Sequence, residues 1–167
     1  KFSILKNNLD LLSNLDDSSL NSARQVVSSA LPSEKDFEGV LSAISSSAEK
    51  SGALLGDYEF QVGDLTQSSA KTTGFPFLTL VVNIRGTPSQ VVKFIGSLFK
   101  SIPLSEITSI TQGENNTSVS IVFYYKSQPP VQFNDRQKIA SISEEGKQII
   151  TTLSSWGGMG KLSQPES

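Results

Sequence analysis

The chain has 167 residues, 37 % of them hydrophobic, which is enough for one domain with appendages and too few for two full-sized cores. Its 14 basic and 16 acidic side chains leave a formal charge of -2, without the positive surplus by which nucleic-acid binders neutralise phosphates. Histidine and cysteine are absent, which removes zinc sites, haem ligation by His or Cys, Cys-His and Ser-His-Asp nucleophiles and disulfide frameworks.

The chain opens on Lys1, and the apolar spacing is already in phase at Phe2, so the sequence reads as part of a longer polypeptide. Phe2, Leu5, Leu9 and Leu12 recur at spacings of 3, 4 and 3. That places all four on one stripe of a helix with the a/d rhythm of a coiled coil. Such a stripe needs a partner, and these four residues are the candidate interface. The cluster Asp16-Asp17-Ser18-Ser19 supplies capping groups for a second helix with Leu20, Ala23, Val27 and Ala30 on one side. Residues 1–31 are thus expected to form a helical arm, either a local hairpin or a dimerising stalk.

Leu31-Pro32 ends the arm, because the residue before a proline is pushed out of the α region. A helix is expected from Ser33, as N-cap, to Ser51, with Phe37, Val40, Leu41, Ile44 and Ala48 inward. Gly52 sits where a left-handed terminal residue is wanted. Leu54-Leu55 and the alternation of Tyr58, Phe60 and Val62 predict a first strand, and Gln67 to Gly74 a polar loop. The β-branched run Phe77 to Ile84 predicts a central strand covered on much of both faces. Thr87 and Pro88 then open a helix with Val91, Val92, Phe94, Ile95, Leu98 and Phe99 as its broad apolar face, closed by Pro103.

Leu104 to Thr111 reads as a third strand, with Leu104, Glu106, Thr108 and Ile110 on one side and Ile107 on the other. A turn at Gly113 to Asn116 leads to a fourth strand, in which Val119, Ile121, Phe123 and Tyr125 alternate with Ser118, Ser120, Val122 and Tyr124. Pro129-Pro130 ends this domain, so the boundaries are 1–31, 32–128 and 129–167. Asn134 or Asp135 is the expected cap of a last helix carrying Ile139, Ile142, Ile149, Leu153 and Trp156 on one face, weakened by Gly146. From Gly157 onward a disordered tail is expected.

From Ser33 to Lys126 the order helix, strand, strand occurs twice. One four-stranded antiparallel sheet with both helices on a single face would bury every apolar stripe named above. The expected fold is therefore α+β, a circularly permuted ferredoxin-like sandwich preceded by a helical, coiled-coil-like arm. The second face of the sheet is left either wet or docked, on the C-terminal helix or on another subunit.

Ala30-Leu31-Pro32 before a helix, Gly52-Ala53-Leu54-Leu55 opening a strand, Phe77 to Gly86 ending Ile-Arg-Gly, Pro88 to Phe99, and Ser101-Ile102-Pro103 together resemble the PilO family of type IV pilus assembly proteins. The resemblance covers roughly Leu5 to Lys126, and the related type II secretion protein GspM shares the layout. It implies a short cytoplasmic start and one transmembrane helix ahead of a coiled coil and an extracytoplasmic, ferredoxin-like domain. It also implies a structural role in the inner-membrane alignment platform, a PilN-like partner, homo- or heterodimerisation, and no catalytic residue. The helix with Trp156 lies beyond what the resemblance covers.

The remaining chemistry is thin. Asp16-Asp17 and Glu144-Glu145, the adjacent carboxylate pairs, read as helix-start residues that meet the helix dipole. Gly157 to Lys161 fails as a phosphate loop, since Ser155 stands where glycine is required and Leu162 where Ser or Thr is required. The sequons at Asn115-Asn116-Thr117-Ser118 are explained by a polar turn. Phe123, Tyr124 and Tyr125 lack the basic, glycine-rich strand of an RNA-recognition motif. No catalytic, cofactor-binding or metal-binding residue is therefore assigned, and no nucleic-acid partner is expected. The alternative reading is a small-molecule-sensing regulatory domain of ferredoxin-like shape, which needs neither His nor Cys.

Overall fold

A computed structural model describes residues 2–14, 16–61, 75–127 and 139–156, with the side chain of Phe2 outside that set. The elements in chain order are α1 (Phe2–Ser13), α2 (Asp17–Ala30), α3 (Phe37–Ser51), β1 (Leu54–Gln61), β2 (Phe77–Arg85), α4 (Pro88–Leu98), β3 (Ser105–Gln112), β4 (Thr117–Tyr124) and α5 (Glu144–Ser154). The expected loop at Gln67 to Gly74, Val62, Pro129-Pro130, the caps at Asn134 and Asp135 and the tail from Gly157 all lie outside the described residues.

Local chemistry sets most of the boundaries. Thr87 accepts from the Gln90 N–H while the Gln90 side chain accepts from the Thr87 N–H at 2.8 Å. This reciprocal cap satisfies two otherwise orphaned donors and, with Pro88 next to it, fixes the start of α4. Gly52 closes α3 at φ +68°, a conformation that disfavours any residue with a Cβ. The start of α3 differs from the sequence expectation: it is Asp36, not Ser33, that caps, its carboxylate accepting from the Gly39 N–H at 2.8 Å. A carboxylate beside a helix N-terminus gains from the dipole as well as the hydrogen bond, and a hydroxyl gains mainly from the latter.

The four strands form one antiparallel sheet in the order β1-β2-β4-β3. β2 and β4 are central, and period two sends Leu78, Leu80, Val82 and Ile84 to the same face as Val119, Ile121 and Phe123. Onto that face α3 lays Val40, Ala43, Ile44 and Ala48, and α4 lays Val91, Phe94 and Leu98, in one continuous core. The two helices run in opposite senses, for the Gln90 amide at the start of α4 donates to the carbonyl of Gly52 at the end of α3, at 2.8 Å.

The opposite face is mainly polar. Glu59, Thr79, Asn83, Ser118 and Ser120 point to it, and the Tyr124 hydroxyl there donates to the Glu106 carboxylate. Both edge strands carry irregularities, between Leu55 and Tyr58 in β1 and between Ile107 and Ser109 in β3. The second one corrects the expected phase of β3. Ile107 pairs with Ile121 and Ile110 with Val119, so both isoleucines share the core face instead of opposite faces. Thr108 is the extra residue, and its hydroxyl bonds Ser120 at 3.1–3.2 Å.

A second, smaller core lies beside the first. Val26 and Ala30 of α2 meet Leu153 of α5 and Ile102, flanked by Leu104, Ile150 and Trp156. The carbonyl of Ala30 accepts from the Leu104 N–H at 2.8 Å and that of Pro32 from the Lys126 N–H at 2.8 Å, which stitches the end of α2 to the sheet. Two expectations change here. The inward side of α2 is Val26 and Ala30, with Val27 exposed, because α5 approaches α2 from that side. The C-terminal helix starts at Ser143 rather than near residue 135, Ile139 and Ile142 precede it, and its packing partner is α2 rather than the second face of the sheet.

Candidate functional site

The predicted interface residues fall on α1. This helix ends where Asn14 turns back, its side-chain amide donating to the Asp10 carbonyl at 2.7 Å. Leu5, Leu9 and Leu12 are 49, 67 and 52 % exposed, a line of large apolar side chains left in water. The neighbouring line tells the opposite story. Ile4 and Leu11 are half-buried and Asn8 is buried, with its Oδ1 accepting from the Ile139 N–H at 3.0 Å. α1 is thus held by the line Ile4, Asn8, Leu11 and presents Leu5, Leu9 and Leu12 outward. The spacing of 4 and 3 for the inner line was available in the sequence, but a polar residue at its centre hid it.

The rhythm does not continue as one long helix. α1 stops at Ser13 and α2 begins at Asp17. Asp16 is the device that starts α2: its carboxylate accepts from the N–H groups of Ser18 and Ser19 at 3.2 and 3.3 Å. The hydroxyls of Ser19 and Ser18 also donate to it, at 2.6 and 2.9 Å, and these bonds hold its pKa below the usual carboxylate value. The acidic pair is a cap, as its sequence position suggests. Glu144 likewise opens α5 and pairs with Lys147 at 2.6 Å, both of them largely exposed.

Other concave or aromatic features offer little for chemistry. An open cleft of about 740 Å³ is lined by Arg24, Lys35, Glu34 and Asp36, whose charges oppose one another, and Asp36 is engaged at the α3 cap. Among the described residues no group of three or more acidic side chains is placed to hold a metal ion. Phe123 is buried in the core, and Tyr124 is tied to a carboxylate on the opposite face, so the aromatic triplet does not form one stacking platform.

No protein-family model matches this chain, and no curated protein matches it.

Proposed function

We propose that this chain is a non-catalytic scaffold subunit of a type IV pilus alignment platform, and that it works by docking a PilN-like partner and by dimerising. The observation that carries the reading is the outward line Leu5, Leu9 and Leu12 on a helix whose adjacent line, Ile4, Asn8 and Leu11, is already engaged with its own chain. Exposed leucines in helical register cost solubility unless a second helix covers them, and a coiled-coil partner is the covering that this spacing fits.

The topology supports the same reading. The order β1-β2-β4-β3, with α3 and α4 both on one face, is the order a ferredoxin-like sandwich takes when its first strand is moved to the end. That is the fold the PilO resemblance implies. In this reading the domain is extracytoplasmic and attached to the inner membrane by a transmembrane helix upstream of Lys1; among the described residues no helix is long and apolar enough to cross a membrane.

The test is co-purification of the chain with a PilN-like partner, before and after replacing Leu5, Leu9 and Leu12 together by Ser. The triple variant is expected to keep its melting temperature, because the three side chains are exposed, and to lose most of the association. Unchanged association would place the interface elsewhere. A full-length polypeptide without about 20 consecutive apolar residues ahead of Lys1 would remove the platform reading.

A further inference from the structure

α3 and α4 occupy equivalent places on one sheet, yet their outward faces are unlike. Outward on α3 stand Glu38, Ser42, Ser45 and Glu49, the ordinary polar surface of an amphipathic helix. Outward on α4 stand Val92 and Gly96, continued by Phe99 at its C-cap, whose backbone is still helical, with Val92 68 % and Phe99 52 % exposed. Their spacing of 4 and 3 makes them one line along the helix. The fold itself does not require this line, since α3 does the same packing work without one.

Gly96 sharpens the point. A Cβ built there meets nothing within 4 Å, so no neighbour in the chain demands glycine, and glycine weakens an exposed helix interior relative to alanine. Set between Val92 and Phe99, the missing side chain leaves a notch flanked by two apolar knobs. Such a notch lets a second helix approach closely and seat a side chain. Lys93 and Lys100 lie seven residues apart beside the line, both exposed, and neither forms an ion pair among the described residues. Two copies of this face would bring like charges together, whereas carboxylates on an incoming helix would meet both lysines.

We propose that the Val92, Gly96, Phe99 face of α4 docks an amphipathic helix of a partner protein, one whose apolar stripe is flanked by Asp or Glu. A fluid anionic lipid surface would answer the lysines but makes no use of a notch, and a second copy would answer the notch but not the charges. This surface is on a different element from the leucine line of α1 and does not depend on the platform reading.

The experiment uses the whole chain and three probes: a labelled synthetic helix with Leu at i, i+3, i+4 and i+7 flanked by Glu, its twin with Lys for Glu, and phosphatidylglycerol vesicles. Fluorescence anisotropy is expected to show saturable binding of the Glu helix. That binding should weaken by about tenfold or more in Lys93→Glu/Lys100→Glu and in Gly96→Leu. It should persist in the Leu5, Leu9, Leu12 to Ser variant, which separates this surface from the one on α1. Gly96→Ala should raise the melting temperature of the free chain by about 2–4 °C, as expected where glycine serves only a partner. Failure of the Glu helix to bind, equal affinity for the Lys twin, an undiminished affinity in Gly96→Leu, or preference for vesicles would each overturn the proposal. So would self-association of the chain that Gly96→Leu abolishes, because the occupant would then be a second copy.

Discussion

Val26 and Val27 are adjacent and chemically identical, and the structure separates them: the first is 7 % exposed and the second 45 %. Val26 packs on Leu153 and Ile102, so Val26→Ala is expected to cost about 2 kcal/mol by chemical denaturation, from two lost methyl groups and a partly unfilled space. Val27→Ala should stay within about 0.5 kcal/mol. Equal costs would refute the placement of α5 against α2. Asp16 offers a pH test of the same region. Its pKa is lowered in the folded chain by the Ser19 and Ser18 bonds, so the carboxylate's contribution to α2 is fully present above its ordinary value of 3.8 and is lost as pH falls through the lowered folded value. The protection of the Ser18 and Ser19 amides, measured against the intrinsic exchange rate at each pH, is expected to fall only under those acidic conditions. Asp16→Asn, which still caps but does not titrate there, should abolish that pH dependence, and Asp16→Ala should show low protection at all pH values. Acid-sensitive protection persisting in Asp16→Asn would assign the effect to another group.

The elements were legible in the sequence wherever a single local rule governs them. Gly52 after α3, Thr87-Pro88 before α4 and the alternation of β2 and β4 each announce themselves in a few residues, and each is found where expected. Phe94 is part of that legible set. It is fully buried between α3 and the sheet, and Phe94→Ala is expected to cost about 3–5 kcal/mol; an unchanged melting temperature would refute the orientation of α4. What the sequence did not disclose depends on tertiary contact. The phase of β3 after Thr108 turns on one bulged residue, and a period-two reading cannot see an insertion that leaves the composition unchanged. The inward side of α2 was ambiguous for a similar reason, because Val26 and Val27 satisfy the pattern equally and α5 decides between them. For the candidate site, the leucine line of α1 was readable as a stripe, but its outward direction was not. That direction is set by Asn8 and its bond to Ile139, residues 131 positions apart. The notch at Gly96 went unread because in the sequence an exposed glycine looks like any weak helix position.

Across the whole molecule the two cores divide the labour. The larger one is built from a contiguous stretch, α3 through β4, and repeats one unit of helix and hairpin. The smaller one is closed by α2 and α5, which come from opposite ends of the described chain. Among the described residues the surfaces left over include a mainly polar sheet face, two edge strands interrupted by bulges, and two unlike helical lines on α1 and α4. Bulged edges discourage strand addition, which agrees with the proposal that partners dock on helical lines. Deleting residues 139 to 156 is accordingly expected to expose Val26 and Ala30 and to lower the melting temperature while leaving the sheet's circular-dichroism signal. Loss of that signal would mean the larger core does not stand without the smaller one.

The closure of α2 on α5 has a mechanical meaning. A load applied between Asp16 and Trp156 falls on the contact made by Val26, Ala30, Leu153 and their few neighbours and on the single bond from the Leu104 N–H to the Ala30 carbonyl beside it, ahead of the paired strands. A small apolar contact between helices yields at lower force than paired strands do. The pair would therefore act as a latch that opens first and reseals when the pull ends, so that stretching the chain lengthens it in a short early step and spares the sheet until later.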